Sequence, residues 1–166
     1  MNNFNFQDIT KFSDLINNDS LSSYKGFAAQ QNHNSFQMFH NLIQDNKPSR
    51  ILEIGTALGG LTGFLNYTCK LLNIDCNIRS YDIHYNSWYE DLKNEGVDIR
   101  IENIFINNWT TIPDEVIKYI QSDGLTIVLC DGGNKKEEFR ILSQYIKKSD
   151  IIMTHDYGPN REYFEE

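Results

Sequence analysis

Apolar residues recur along this chain in two alternating rhythms. Phe36, Phe39, Leu42 and Ile43 fall at helical spacing, and Pro48 ends that stretch before the apolar run SRILEIG (49–55). A second helix is expected from Gly59, with Leu61, Phe64, Leu65, Thr68 and Leu72 as its inner stripe, followed by the strand NIRSYDI (77–83). A helix over 87–94 leads to the short strand VDIRIEN (97–103), and Pro113 opens a helix to Gln121 that turns Val116, Ile117 and Ile120 inward. LTIVLCDGG (125–133) is apolar on both faces, as a central strand covered on each side must be. The helix Lys136 to Lys147 packs through Phe139, Leu142 and Ile146, and DIIMTHDY (150–157) makes a fifth strand.

Five strands alternating with helices predict an α/β fold: a doubly wound, Rossmann-like, mostly parallel sheet with crossover connections. Residues 1–33, rich in Asn, Gln and Ser, read as a helical or irregular lead-in; residues 34–157 read as the ligand-binding domain and 158–166 as a tail.

Composition narrows the class. The chain has 166 residues, 40% hydrophobic and 23% charged, the balance of one ordinary globular domain with a core large enough to need no staple. Cys69, Cys76 and Cys130 are odd in number and share no ligand spacing, so reduced thiols and a cytoplasmic location are expected. No membrane span or signal peptide is apparent. Fifteen Lys plus Arg against 23 Asp plus Glu give a net charge of −8, which argues against nucleic acid as a partner. The doublets Lys135-Lys136 and Lys147-Lys148 read as solvated helix faces.

In an open α/β sheet, ligands bind outside the carboxyl ends of the strands. The polar residues expected there are Glu53 and Gly55, then Asp82, Asn103, Asp131, and His155 with Asp156. The turn after the first strand, Gly55-Thr56-Ala57-Leu58-Gly59-Gly60, is not the G-x-G-x-x-G that faces a diphosphate, because Ala57 takes the second glycine position. Glu53 adds negative charge where a phosphate would lie. A ligand with a ribose and a cationic arm but no phosphate suits such a site, and S-adenosylmethionine meets that description. Asp82 is then placed for the ribose hydroxyls, and Ile83 and Asn103 for the adenine. A dinucleotide oxidoreductase is the disfavoured alternative, since Ala57 alters the turn.

EIGTALGG, the acid of YDIHY, and VLCDGG with IIMTHDY resemble class I S-adenosylmethionine-dependent methyltransferases, in particular the cephalosporin hydroxylase-like and sugar O-methyltransferase group. YKGFAAQQNHNSFQMFHNLI resembles that group's lead-in, where a turn precedes a helix covering the cofactor, so the resemblance runs from about Tyr24 to Tyr157. It implies methyl transfer to a hydroxyl of a sugar or other small molecule. From the metal-dependent branch it implies a divalent cation, Mg or Mn, on Asp131, His155 and Asp156, with His in place of an oxygen ligand. His155 is the first choice for the base, because imidazole titrates near neutrality, and Lys135 the second.

Simpler roles stand beside these. Asp131 can cap the following helix, His155-Asp156 can be a hydrogen-bonded loop pair, and Tyr85, Trp88 and Tyr89 can be core as readily as a pocket wall. His33, His40 and His84 have no partners at ligand spacing. The sixth and seventh strands usual in this fold have no apolar run after DYGPNREYFEE's start, so an open sheet edge and a homo-oligomer are expected. A cofactor-binding subunit without catalysis is the alternative this leaves open.

Overall fold

A computed structural model describes residues 9–12 and 21–154, with the backbone alone for 9–12, 21, 22, 32 and 33. Eight strands and five helices are described: β1 (Ile9–Phe12), β2 (Leu21–Tyr24), β3 (Phe27–Asn32), α1 (His33–Asn46), β4 (Arg50–Ile54), α2 (Gly60–Leu71), β5 (Asn77–Asp82), α3 (Tyr89–Asn94), β6 (Asp98–Ile101), α4 (Asp114–Gln121), β7 (Thr126–Cys130), α5 (Lys135–Leu142) and β8 (Ile151–Thr154).

The five expected strands form one parallel sheet in the order β6-β5-β4-β7-β8. Side-chain alternation sends successive residues of each strand to opposite helical layers. Ile51, Ile78, Ile99, Ile127 and Leu129 pack with Phe36 and Ile43 of α1, Phe64 and Leu65 of α2, and Leu92 of α3. Leu52, Ile54, Tyr81, Val128 and Cys130 meet Val116 and Ile120 of α4 and Ile141 and Leu142 of α5. The sheet is therefore covered on both faces, which is why β7 is buried at every position.

The lead-in differs from expectation. It holds a three-stranded antiparallel sheet, β1-β2-β3, rather than helix or irregular chain. Lys25 and Gly26, with φ of 49° and 86°, make the two-residue turn between β2 and β3, and two left-handed residues in succession match the twist of a hairpin. This sheet lies on α2. Tyr24 packs edge-on against Phe64 and beside Tyr67, and Tyr24 and Ala29 belong to the same core as α1 and α2.

The helix expected over Lys136 to Lys147 ends earlier, at Leu142. The stretch beyond Thr154, on which the expectation of missing terminal strands falls, lies outside the described residues. Among those described, no helix is long and apolar enough to cross a membrane.

Candidate functional site

The chain leaving β4 enters α2 on one face of the sheet, and the chain leaving β7 enters α5 on the other. The crevice between these neighbouring strands is where an open α/β sheet takes its ligand. A cavity of about 760 Å³ opens there, lined among others by Gly55, Ala57, Asp82, Ile83, Asn103 and Asp131. A second cavity of about 290 Å³ adjoins it beneath β3, where Thr56, Lys135, Gln30 and Ala28 join Gly55, Ala57 and Asp131.

The turn after β4 is fixed by two close approaches. Gly55 has φ 96°, and a Cβ there would stand 2.3 Å from the carbonyl oxygen of Asp131. A Cβ on Gly60 would stand 2.4 Å from the carbonyl oxygen of Phe27, so β3 lies directly against the first turn of α2. Ala57 is left-handed at φ 49°. Its N–H donates to Asp82 Oδ2 at 2.7 Å, and its carbonyl accepts from the Tyr89 hydroxyl at 2.7 Å. Asp82 Oδ1 accepts from the backbone N–H of His84 at 2.8 Å. Each carboxylate oxygen of Asp82 keeps a further lone pair for a hydroxyl donor.

Glu53 does not line either cavity, contrary to the placement expected of it. It shares a strand face with Ile51, is 1% exposed, and accepts from the hydroxyls of Thr62 and Ser80, both at 2.5 Å. The Ser80 hydroxyl also meets that of Thr56 at 2.6 Å. Burial raises the Glu53 carboxyl from 4.5 to about 7; the Ser80 and Thr62 hydroxyls oppose the rise, and Asp131 and Asp82 add to it. Glu53 thus supports the turn from below. Gly59 and Gly60 likewise shape the turn without lining either of these two cavities.

Asp131 stands between the two cavities. Gln31 Nε2 donates to its Oδ2 at 3.2 Å, and Lys135 Nζ lies 3.5 Å from its Oδ1. Lys135 Nζ also donates to the carbonyl of Gly132 at 3.0 Å. These are the contacts of an ammonium donor. Below the loop after β7 sits a carboxylate that sequence reasoning passed over: Glu138, 1% exposed, accepts from the N–H groups of Gly132 and Asn134 at 3.0 Å each. Burial raises its pKa, and the two amides lower it in part. Asn134 caps α5 by accepting from the Glu137 N–H at 3.4 Å.

The aromatic wall is partly the expected one. Tyr85 and Tyr89 line the larger cavity, whereas Trp88 does not and instead meets Phe27 edge-on. Phe105 and Trp109, stacked at 4.5 Å and 12°, form an aromatic wall that was not anticipated. Asn107, Asn108 and Trp109 are left-handed in succession, at φ 51°, 55° and 62°, and this turn folds Trp109 back over Phe105. Two neighbouring asparagines were the available signal. Asn103 Oδ1 accepts from the Phe105 N–H at 3.0 Å and fixes the start of the same loop.

His155 and Asp156 lie outside the described residues, so Asp131 alone of the expected metal ligands is placed. Among the described residues, no three His, Cys, Asp or Glu gather as a metal site.

No family model and no curated protein matches the chain. Solved structures do. CmcI with Mg and SAM matches at TM-score 0.61 and 14% identity, over 81% of this chain and 57% of that one. CmcI with SAH matches at TM-score 0.58 and 14% identity, over 82% of this chain and 67% of that one. A Staphylococcus aureus protein described as a "putative caffeoyl-CoA O-methyltransferase" matches at TM-score 0.53 and 16% identity, over 76% of this chain and 58% of that one. This chain spans 57% and 61% of the first two structures it matches. At this identity the likeness establishes the fold alone, a Rossmann-like α/β sheet shared with these structures.

Proposed function

We propose that the chain binds S-adenosylmethionine and transfers its methyl group to a hydroxyl of a small-molecule acceptor, a sugar being the first class to try. One observation carries the cofactor: the Ala57 N–H, which a diphosphate would need, is held by Asp82 at 2.7 Å. The carbonyl of Phe27 covers the first turn of α2, where a phosphate would otherwise sit. The turn is thus closed to a diphosphate and backed by carboxylates, which favours a ligand without phosphate. The larger cavity suits adenosine, with Asp82 for the ribose and the Phe105–Trp109 stack or Ile83 for the base. The smaller suits the amino-acid arm.

Methyl transfer is a direct displacement. The acceptor oxygen attacks the methyl carbon as the carbon–sulfur bond breaks, the hydroxyl proton passes to a base, and S-adenosylhomocysteine leaves. The protein's part is to hold the two reactants in line and to take the proton. His155 is the proposed base; Lys135, already donating to Gly132 and paired with Asp131, is the weaker choice.

A divalent cation extends the proposal, because CmcI is matched in a form with Mg and SAM. Asp131 would offer it a carboxylate oxygen beside His155 and Asp156, and the cation would acidify the acceptor hydroxyl. Asp131 by itself makes no site. Association of the chain with itself and a cytoplasmic location belong to the same proposal.

Incubation with methyl-labelled S-adenosylmethionine and a panel of sugars and phenols tests the reaction. Label on an acceptor hydroxyl supports it. Tight cofactor binding with no label transferred to any acceptor contradicts catalysis and leaves a binding subunit.

A further inference from the structure

Gln30 has φ 53° within β3, a left-handed conformation that side chains other than glycine rarely adopt. The pairing of β2 with β3 slips at the same place: Ser23 pairs with Ala28 and Leu21 with Asn32, so a short stretch of β2 spans a longer one of β3. Such bulges re-aim side chains and gather beside active sites. Here Gln31 turns inward, 1% exposed, to donate to Asp131, while Gln30 lines both the 760 Å³ and the 290 Å³ cavities. Gly55, Ala57 and Asp131 share that position between the two.

The chemistry of the smaller cavity defines what meets Gln30. Thr56, Asp131 and Lys135 line it with Gln30, the last two bringing a carboxylate and an ammonium. Charges of both signs suit a zwitterion, and a carboxamide both donates to a carboxylate and accepts from an ammonium. The carboxamide of Gln30 makes no hydrogen bond with the described residues. We propose that Gln30 is a ligand-contacting residue that holds the amino-acid arm of the S-adenosyl ligand in the smaller cavity. This rests on the function proposed above. The bulge in β3 then serves to deliver that contact.

The test compares two ligands and two variants by calorimetry. S-adenosylhomocysteine carries the amino-acid arm; 5′-methylthioadenosine lacks it. Gln30→Gly and Gln30→Ala should each lose about ten-fold or more in affinity for S-adenosylhomocysteine, the scale of a hydrogen bond to a charged group, and nothing for methylthioadenosine. Gln30→Gly should melt no lower than the unaltered protein, since glycine adopts this φ without strain. Equal losses for both ligands would mean that the residue only shapes the strand and would overturn the proposal. Unchanged affinity for S-adenosylhomocysteine would overturn it too, with the cofactor reading left standing. Failure of the unaltered protein to bind either ligand would overturn both.

Discussion

The carboxylate of Asp82 holds the backbone N–H of Ala57 at 2.7 Å, tying the end of β5 to the turn after β4. Ala57 is left-handed at φ 49°, so a residue that resists this conformation is kept in it by a charged acceptor. The acid expected to serve a ligand's ribose therefore also builds the turn beneath that ligand. Asp82→Ala removes both roles. It should cost about 1–3 kcal/mol of stability, the scale of an amide left without its charged partner. Affinity for S-adenosylhomocysteine should fall about a hundred-fold. Asp82→Asn, which keeps one acceptor oxygen, should lose less stability in the same denaturation series.

Glu53 sets a pH dependence of stability. Its carboxyl is raised from 4.5 to about 7 by burial, so the folded chain holds a proton that the unfolded chain releases. The stability it contributes is full below about pH 4.5 and is lost as pH rises through about 7. The difference amounts to about 3 kcal/mol. Urea denaturation of the unaltered protein and of Glu53→Gln at roughly pH 4 and pH 8 isolates this from other groups. The unaltered protein should lose about 3 kcal/mol relative to the variant across that interval.

Gly60 is where the small sheet meets the large domain. A methyl group there collides with the backbone of Phe27 and Ala28, neither of which is the end of a flexible side chain. Gly60→Ala should cost about 1–3 kcal/mol and weaken ligand binding by lifting β3 from the smaller cavity. Gly133→Ala, with nothing within 4 Å of the added carbon, should change stability by no more than about 0.5 kcal/mol. Thermal melts of the two variants check the contrast.

Glu138 holds the loop at the floor of the larger cavity through the amides of Gly132 and Asn134. Glu138→Ala should cost about 1–3 kcal/mol and reduce affinity for adenosine-containing ligands with and without the amino-acid arm alike. Calorimetry with S-adenosylhomocysteine and methylthioadenosine separates this effect from that of Gln30, which concerns the arm alone.

Much of this was legible in the residues because a covered parallel sheet dictates both pattern and site. Continuous apolar strands announced the order of elements, and acids at strand ends placed Asp82 and Asp131 before the crevice was seen. Glu53 was misplaced, although alternation puts it on the face of Ile51 and so under α2 rather than at the strand tip. The small sheet was missed because the middles of β2 and β3 are carried by Ser, Gln and Ala, which have little β preference, and because its seat on α2 depends on Gly60 having no side chain. Gln30 and Glu138 reach the crevice only through tertiary contacts, one by a bulge and one from inside a helix.

The most direct test of the account is calorimetry of the unaltered protein with S-adenosylhomocysteine and, separately, with NAD. Saturable one-to-one binding of S-adenosylhomocysteine and none of NAD is the predicted result. Binding of NAD without S-adenosylhomocysteine would mean that the turn held by Asp82 admits a diphosphate after all, and would contradict the central claim.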